Sequence, residues 1–96
     1  MSARSKFKFR LFVAAGTLNS IQAIANLNAL CRSHLAGHHE IEVIDVFREP
    51  QRALDEGIRM TPTLLKLAPN PVRRIVGTLG QTQRVLETLG LEPGAA

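Results

Sequence analysis

The sequence has no tryptophan, no tyrosine and a single cysteine, and four phenylalanines are its entire aromatic content. With so few rings for base stacking and no RNA-binding consensus, nucleic acid is not expected as a partner. The lone Cys31 cannot form an internal disulfide, and it has no second cysteine for dithiol chemistry. We therefore expect a reducing, cytoplasmic location and no thiol oxidoreductase activity.

Long apolar runs are also absent. No stretch approaches the ~20 residues that a transmembrane helix needs, and the basic segment 1–10 is followed by a short apolar stretch without a small-residue cleavage site. A soluble protein that does not engage a membrane is predicted. The formal net charge of +4 favours acidic partners.

The length and composition predict one globular domain. The chain has 96 residues, of which 45% are hydrophobic and 21% charged, close to ordinary globular proportions. A chain of this size builds one core. We expect a single domain over residues 1–96, with a core at about 6–90, a flexible tail at 91–96 and no cofactor.

The first half of the chain predicts a right-handed βαβ unit. Residues 6–14 alternate basic and apolar side chains and then become continuously apolar, which is typical of a strand entering a sheet. The helix that follows can be capped by Asn19 or Ser20 and is ended by Gly37. Its apolar positions recur at helical spacing, at Ile21, Ile24, Leu27, Cys31 and Leu35. Residues 40–46 form the second strand.

A short second helix is predicted next, starting at Pro50 and closed by Gly57. Beyond it, residues 63–68 and 72–76 can form a hairpin around Pro69-Asn70-Pro71. A last helix then runs from about Gln81 to Leu89 and ends at Gly90. This interpretation gives an α/β fold in the thioredoxin order β-α-β-α-β-β-α.

The same stretch also admits a helix. Residues 64–68 are better helix formers than strand formers, Thr61 is a fair N-cap, and Pro62 occupies the favoured first helical position. Either packing overrides local preference, or the segment adopts two folds. The sequence alone does not distinguish the strand from the helix in this segment.

Three segments resemble the KaiB family: LFVAAGTLNS at 11–20, VIDV at 43–46 with Pro50-Gln51, and TPTL at 61–64 together with PVRRIVG at 71–77. The match runs ungapped from about Lys6 to Leu89. The resemblance implies a non-enzymatic clock or timing protein that binds a KaiC-type ATPase ring and modulates its phosphorylation cycle through a fold switch. KaiA and a sensor histidine kinase are further implied partners. An adaptor in stress response or histidine-kinase signalling, without a true clock, is the alternative.

The resemblance further implies two folds. One is a homotetramer ordered β-α-β-β-α-α-β, and the other is a thioredoxin-like monomer that binds KaiC. The residues assigned to the switch are Thr61, Pro62, Thr63, Thr88 and Gly90. The bond before Pro62 is expected to be cis in the thioredoxin-like form and trans at a helix start. Thr88 and Gly90 differ from the family's clock members in a way that favours the last helix. We therefore expect the thioredoxin-like form to be more populated here than in those proteins.

An exposed strand edge offers unpaired backbone groups to a partner. The predicted partner-binding residues are Glu40, Glu42, Ile44, Gln51, Ala53, Arg73 and Arg74. Glu42 stands where the clock members carry lysine. The two arginines alternate along a strand, so one should face each side of the sheet.

No catalytic or metal site is predicted. The position of a thioredoxin active site is Gly16-Thr17-Leu18-Asn19, which contains no thiol. Cys31 is expected to be a packed core thiol. The histidines His34, His38 and His39 with Glu40 lack a recognised ligand spacing and are expected to be exposed turn residues. Asp45 is expected to be a hydrogen-bonded structural carboxylate.

Overall fold

The computed structural model describes residues 6–91, which form a four-stranded sheet with helices packed on both faces. The elements are β1 (Phe7–Val13), α1 (Leu18–His34), β2 (His39–Asp45), α2 (Pro50–Asp55), β3 (Thr63–Ala68), β4 (Arg73–Val76) and α3 (Thr82–Leu89). This is the predicted thioredoxin-like order, and residues 63–68 form a strand. Residues 92–96 of the predicted tail lie outside the described residues.

The strands are arranged in the order β2-β1-β3-β4. β1 pairs in parallel with β2 and antiparallel with β3, and β3 pairs antiparallel with β4. The parallel pair is joined by α1, the crossover that such a pair requires. Within the described residues, β2 and β4 are therefore the two open edges of the sheet.

The sheet has a core on each face, and the central strand β1 contributes side chains to both. Alternate residues of a strand point to opposite faces. Phe9 and Leu11 join the larger core against α1 and α3, whereas Phe12 joins a smaller core against α2. Residues of the smaller core are Phe12, Ile44, Ala53 and Leu65.

The start of α1 differs from the prediction. Thr17 is the N-cap, and its side chain accepts the N–H of Ser20 at 3.4 Å. Neither Asn19 nor Ser20 is the cap. Instead Ser20 is buried, and its hydroxyl oxygen accepts the N–H of Ala14 at 3.0 Å. The three side chains are similar cap formers, so only the tertiary contact of Ser20 separates them.

The predicted apolar face of α1 is confirmed at Leu27, Cys31 and Leu35, which are at most 1% exposed, but not at its start. Ile21 is 55% exposed, whereas Ala23 is fully buried and Leu30 nearly so. Small side chains such as alanine allow close packing but carry no strong hydrophobic signal in the sequence. The helix ends at His34, and Gly37, with φ 78°, belongs to the turn that follows.

The later helix ends agree with the predictions. Gly57 follows α2 with φ 68°, and Gly90 ends α3 with φ 81°, a conformation that favours glycine. The peptide bond before Pro62 is cis, as expected for the thioredoxin-like form. The bonds before Pro69 and Pro71, in the hairpin between β3 and β4, are cis as well.

Candidate partner-binding surface

The loop between β1 and α1 has no group for thiol chemistry. Its Thr17 hydroxyl donates to the carbonyl of Ala14 at 2.8 Å and serves the helix start. Cys31 is fully buried within α1, and burial raises the pKa of its thiol to about 11. The predicted core thiol is confirmed. A thiolate nucleophile is therefore not available from this side chain near neutral pH.

The segment 40–53 follows the β2 edge and enters α2, as predicted, but its residues differ in accessibility. Ile44 is fully buried and Ala53 is 8% exposed, both in the core beneath α2. Glu40, Glu42 and Gln51 are exposed. Ile44 and Ala53 therefore hold α2 against the sheet, and the accessible surface consists of the other three side chains and their neighbours.

Glu42 is the centre of an ion-pair network that joins β1, β2 and α2. Arg52 binds both of its carboxylate oxygens, at 2.7 and 3.1 Å. Arg10 donates from Nε to the same carboxylate at 3.0 Å and from Nη1 to Glu56 at 3.0 Å. These hydrogen bonds, that of Arg52 first, lower the pKa of Glu42 to about 2. The charge of Glu42 is thus already compensated within the chain.

The network was not predicted, although the sequence carries a signal for it. Lys8 and Arg10 alternate along β1 and lie opposite Glu40 and Glu42 in the parallel register. Lys6 completes the pattern with a 3.0 Å ion pair to Glu40. Opposite charges at the period of a strand indicate cross-strand pairs once the register is known.

The outer side of β2 presents unpaired backbone groups. Val46 donates its N–H to Val13 at 2.9 Å, and Phe7 donates to His38 at 2.9 Å. Alternation along the strand therefore directs the backbone of Ile41 and Val43 away from β1. The edge of β2 is open to a further strand within residues 6–91.

Large apolar side chains are exposed along the same segment. Val43 is 45% exposed, and Phe47 and Leu54 are each 71% exposed. None of the three was among the predicted partner-binding residues. Phe47 lies beyond the last residue of β2, where strand alternation makes no prediction, and the helical pattern of α2 is too short to separate Leu54 from a core residue.

Arg73 and Arg74 lie on β4, at the opposite edge of the sheet from β2. They face opposite sides, as predicted. Arg74 donates to the carbonyl of Glu56 at 2.7 Å and to that of Gly57 at 3.3 Å. Arg73 is the register partner of Lys66. The surface predicted as one is therefore divided between two edges.

The residues assigned to the switch occupy two separate elements. Thr61, Pro62 and Thr63 lead into β3, where the carbonyl of Pro62 accepts the N–H of Gly77 at 2.9 Å. Thr88 is exposed in α3, and its hydroxyl donates to the carbonyl of Arg84 at 3.0 Å. Gly90 ends that helix.

The histidines differ from the expectation of exposed turn residues. All three are partly buried, and His39 is the first residue of β2, with its Nδ1 2.9 Å from the carbonyl oxygen of Leu35. Among residues 6–91, no group of histidine, cysteine, aspartate and glutamate could hold a metal ion. No described helix is long and apolar enough to cross a membrane.

Asp45 is the predicted structural carboxylate. Its Oδ1 accepts the N–H of Phe47 at 3.0 Å and that of Ala15 at 3.4 Å. The side chain thereby links the end of β2 to the loop that precedes α1. The prediction is confirmed.

Comparison with known proteins decides the family. The family model described as the KaiB domain matches residues 10–91. The chain belongs to the KaiB family. It is 39% identical over 89 residues to the circadian clock protein KaiB3 of Synechocystis sp., a match that covers 93% of this chain and 87% of that protein. It is 42% identical over 91 residues to the circadian clock oscillator protein KaiB of Synechococcus sp., covering 95% and 83%.

Solved structures show the same fold at lower identity. Chloroplastic thioredoxin z matches with a TM-score of 0.75 and 20% identity, covering 95% of this chain and 82% of that one. The N-terminal domain of Synechococcus elongatus SasA matches with a TM-score of 0.71 and 20% identity, covering 100% and 94%. The KaiB family member described here thus has a thioredoxin-like fold.

Proposed function

We propose that this KaiB family member is a non-catalytic clock or timing protein that binds a KaiC-type ATPase ring and modulates its phosphorylation cycle. The family match over residues 10–91 carries the proposal. The absence of a thiol from the loop before α1 and the open β2 edge support binding rather than catalysis. KaiA, or a sensor histidine kinase, is a further proposed partner.

The β2 edge is the proposed docking surface for KaiC. The outward backbone groups of Ile41 and Val43 can hydrogen-bond to a partner strand, and the exposed Phe47 and Leu54 supply apolar contact. Exposed aromatic side chains are frequent anchors of binding energy. Because Glu42 is already paired with two arginines, it contributes little free charge to this surface.

The proposal includes a fold switch in which KaiC captures the thioredoxin-like form. Residues 64–68 prefer a helix by composition, yet they form β3. Leu64 and Leu65 are 1% and 3% exposed, on opposite faces of the sheet, so tertiary packing stabilises the strand. A segment whose packing opposes its local preference is suited to a second arrangement of similar free energy.

A binding measurement tests the proposal. The chain, labelled at its amino terminus, is titrated with purified KaiC in ATP and in ADP, and fluorescence anisotropy reports binding. We expect saturable binding in at least one nucleotide state. Phe47→Ala should weaken binding about tenfold if it anchors the interface, whereas Leu18→Ala, which removes a similarly exposed leucine from α1, should not.

No binding in either nucleotide would contradict the proposal. If a histidine-kinase sensor domain bound under the same conditions while KaiC did not, the adaptor role would replace the clock role. Equal weakening by Phe47→Ala and Leu18→Ala would contradict the assignment of the surface to the β2 edge.

A further inference from the structure

The second open edge of the sheet has its own set of unpaired backbone groups. Gly77 donates its N–H to Pro62, and Ile75 lies opposite Leu64. In an antiparallel ladder the residues between these pairs turn their N–H and C=O groups outward. Arg74 and Val76 therefore present their backbone to the outside, and no described strand covers that side.

A groove lies beside this edge. It has a volume of about 500 Å³ and is lined by residues 74–81 together with Arg84, Val85 and Thr88 of α3. Val76 contributes an apolar side chain that is 51% exposed. An extended segment added to β4 would lie ~4.8 Å from it and would direct alternate side chains toward the outer surface of α3.

The charge of the groove is of one sign. Its lining contains two arginines and no aspartate or glutamate. The guanidinium of Arg74 is engaged with carbonyls of the α2 end, but that of Arg84 has no ion pair or hydrogen bond among residues 6–91. Glu87, on the same helix, lies outside the lining and makes no ion pair with Arg84.

The neighbouring end of the edge is also cationic. Arg73 lies beside Lys66, whose pKa is lowered by burial and then by the charge of Arg73. Lys66 is 3% exposed, and its ammonium lies 5.6 Å from the centre of the Phe7 ring. Within the described residues, neither Arg73 nor Lys66 has a carboxylate partner. The β4 edge thus carries positive charge that no carboxylate of residues 6–91 compensates.

We infer that the open edge of β4 and its groove against α3 bind an extended peptide segment of a partner protein that carries acidic side chains. The backbone of Arg74 and Val76 pairs with the added strand, and a carboxylate of that strand meets Arg84. This site is separate from the KaiC surface proposed on β2, and it does not require that surface to exist.

A second copy of this chain is the less suitable occupant. Pairing one β4 strand with another would bring the arginines of both copies together at one junction. Like charges across a strand pair are destabilising. Edge cations of this kind commonly prevent strands of identical chains from pairing. An acidic segment would instead be attracted by the same arginines.

The test uses a blocked heptapeptide of alternating valine and glutamate, with a glutamine version as its neutral control. Each is titrated into the ¹⁵N-labelled chain, and amide shifts are followed. We expect saturable shifts at Arg74, Val76 and along α3 with the acidic peptide, and binding about tenfold weaker or undetectable with the neutral one.

Two pairs of variants locate the site. Val76→Pro removes an outward N–H that the β3–β4 ladder does not use, and should abolish binding, whereas Val76→Ala keeps that N–H and should retain it. Arg84→Glu should weaken binding at least tenfold, and Arg48→Glu, at an exposed arginine that follows β2, should not. The amide spectrum of each variant shows whether it is folded. If Val76→Pro does not fold, the comparison of Arg84→Glu with Arg48→Glu decides the test.

Several results would overturn the inference. These are equal binding of both peptides, unchanged binding by Arg84→Glu, shifts centred on β2, or a concentration-dependent dimer formed through β4 in the free chain. KaiC titrations of Arg84→Glu keep the two proposals distinguishable. KaiC binding should be unchanged in this variant, and its loss would show that KaiC, rather than a separate acidic segment, occupies the β4 edge.

Discussion

At the residue scale, Glu42 shows how a charge on an edge strand is compensated within the chain. Its carboxylate lies between Arg52 of α2 and Arg10 of β1, so that three elements are joined by one group. The side chain is 47% exposed, which limits the free energy that each ion pair contributes. The network links α2 to the sheet in addition to the buried contacts of Ile44 and Ala53.

This network predicts a specific pH dependence. Hydrogen bonds from Arg52 and Arg10 lower the folded-state pKa of Glu42 from 4.5 to about 2. Because the folded protein binds this proton more weakly than the unfolded chain, the stabilisation is present above pH 4.5 and is lost as the pH falls through about 2. We predict that Glu42→Gln lowers the free energy of unfolding at neutral pH by about 0.5 kcal/mol and reduces its acid dependence.

Urea unfolding at neutral pH and at several acid pH values measures both effects. Glu87→Gln is the matched control, since Glu87 is an exposed carboxylate without an ion pair among residues 6–91. An identical acid-induced loss of stability in the parent chain and in Glu42→Gln would contradict the assignment.

Ser20 provides a second residue-scale prediction. Its buried hydroxyl accepts the N–H of Ala14 at the end of β1. Ser20→Ala leaves that N–H without its partner, and we expect it to lower the free energy of unfolding by about 1–3 kcal/mol. Ser33→Ala, at an exposed position of the same helix, should be nearly neutral. Denaturant unfolding of the two variants separates the outcomes, and equal stabilities would disprove the structural role of Ser20.

The thiol of Cys31 should react only slowly in the folded chain. It is fully buried, and its pKa is raised to about 11 by burial. We predict that a thiol-specific aromatic disulfide reagent labels the native protein at mildly alkaline pH at least about a hundredfold more slowly than the urea-unfolded protein. Labelling at similar rates in both states would show that the α1 core opens readily.

At the element scale, the strands were largely predictable and the helix details were not. β1 and β2 are marked by alternating charges and β-branched residues, and their predicted ends agree with the structure to one residue. The N-cap of α1 could not be chosen because Thr17, Asn19 and Ser20 have similar intrinsic capacity. The predicted partner-binding residues fall on two separate edges because β2 and β4 lie at opposite ends of the sheet. That strand order depends on long-range pairing, which the local sequence pattern does not reveal.

The end of α3 yields an element-scale prediction. Gly90 has φ 81°, and a Cβ placed there would contact nothing within 4 Å. The cost of Gly90→Ala is therefore conformational, and we expect a loss of about 1 kcal/mol in the free energy of unfolding. Gly80→Ala is the control, since Gly80 lacks a positive φ. If thermal unfolding showed Gly90→Ala to be as stable as the parent chain, the proposed contribution of Gly90 to the C-terminal cap of α3 would be refuted.

At the scale of the whole molecule, the sheet has two open edges among residues 6–91, and we propose a different partner for each. The β2 edge combines outward backbone groups with exposed apolar side chains, and its charges are compensated within the chain. The β4 edge has outward backbone groups beside cations that have no carboxylate partner among residues 6–91. The thioredoxin-like sheet thus has two open edges among residues 6–91, while the loop before α1 contains no thiol for redox chemistry.

We propose that KaiC recognises the form in which residues 63–68 are a strand. Backbone chemical shifts of the isotope-labelled chain at these residues, measured free and bound to KaiC, test it most directly. We predict strand shifts in the bound state, and also in the major free species, which should have the size of a monomer. Helical shifts at residues 63–68 in the KaiC-bound state would contradict this proposal.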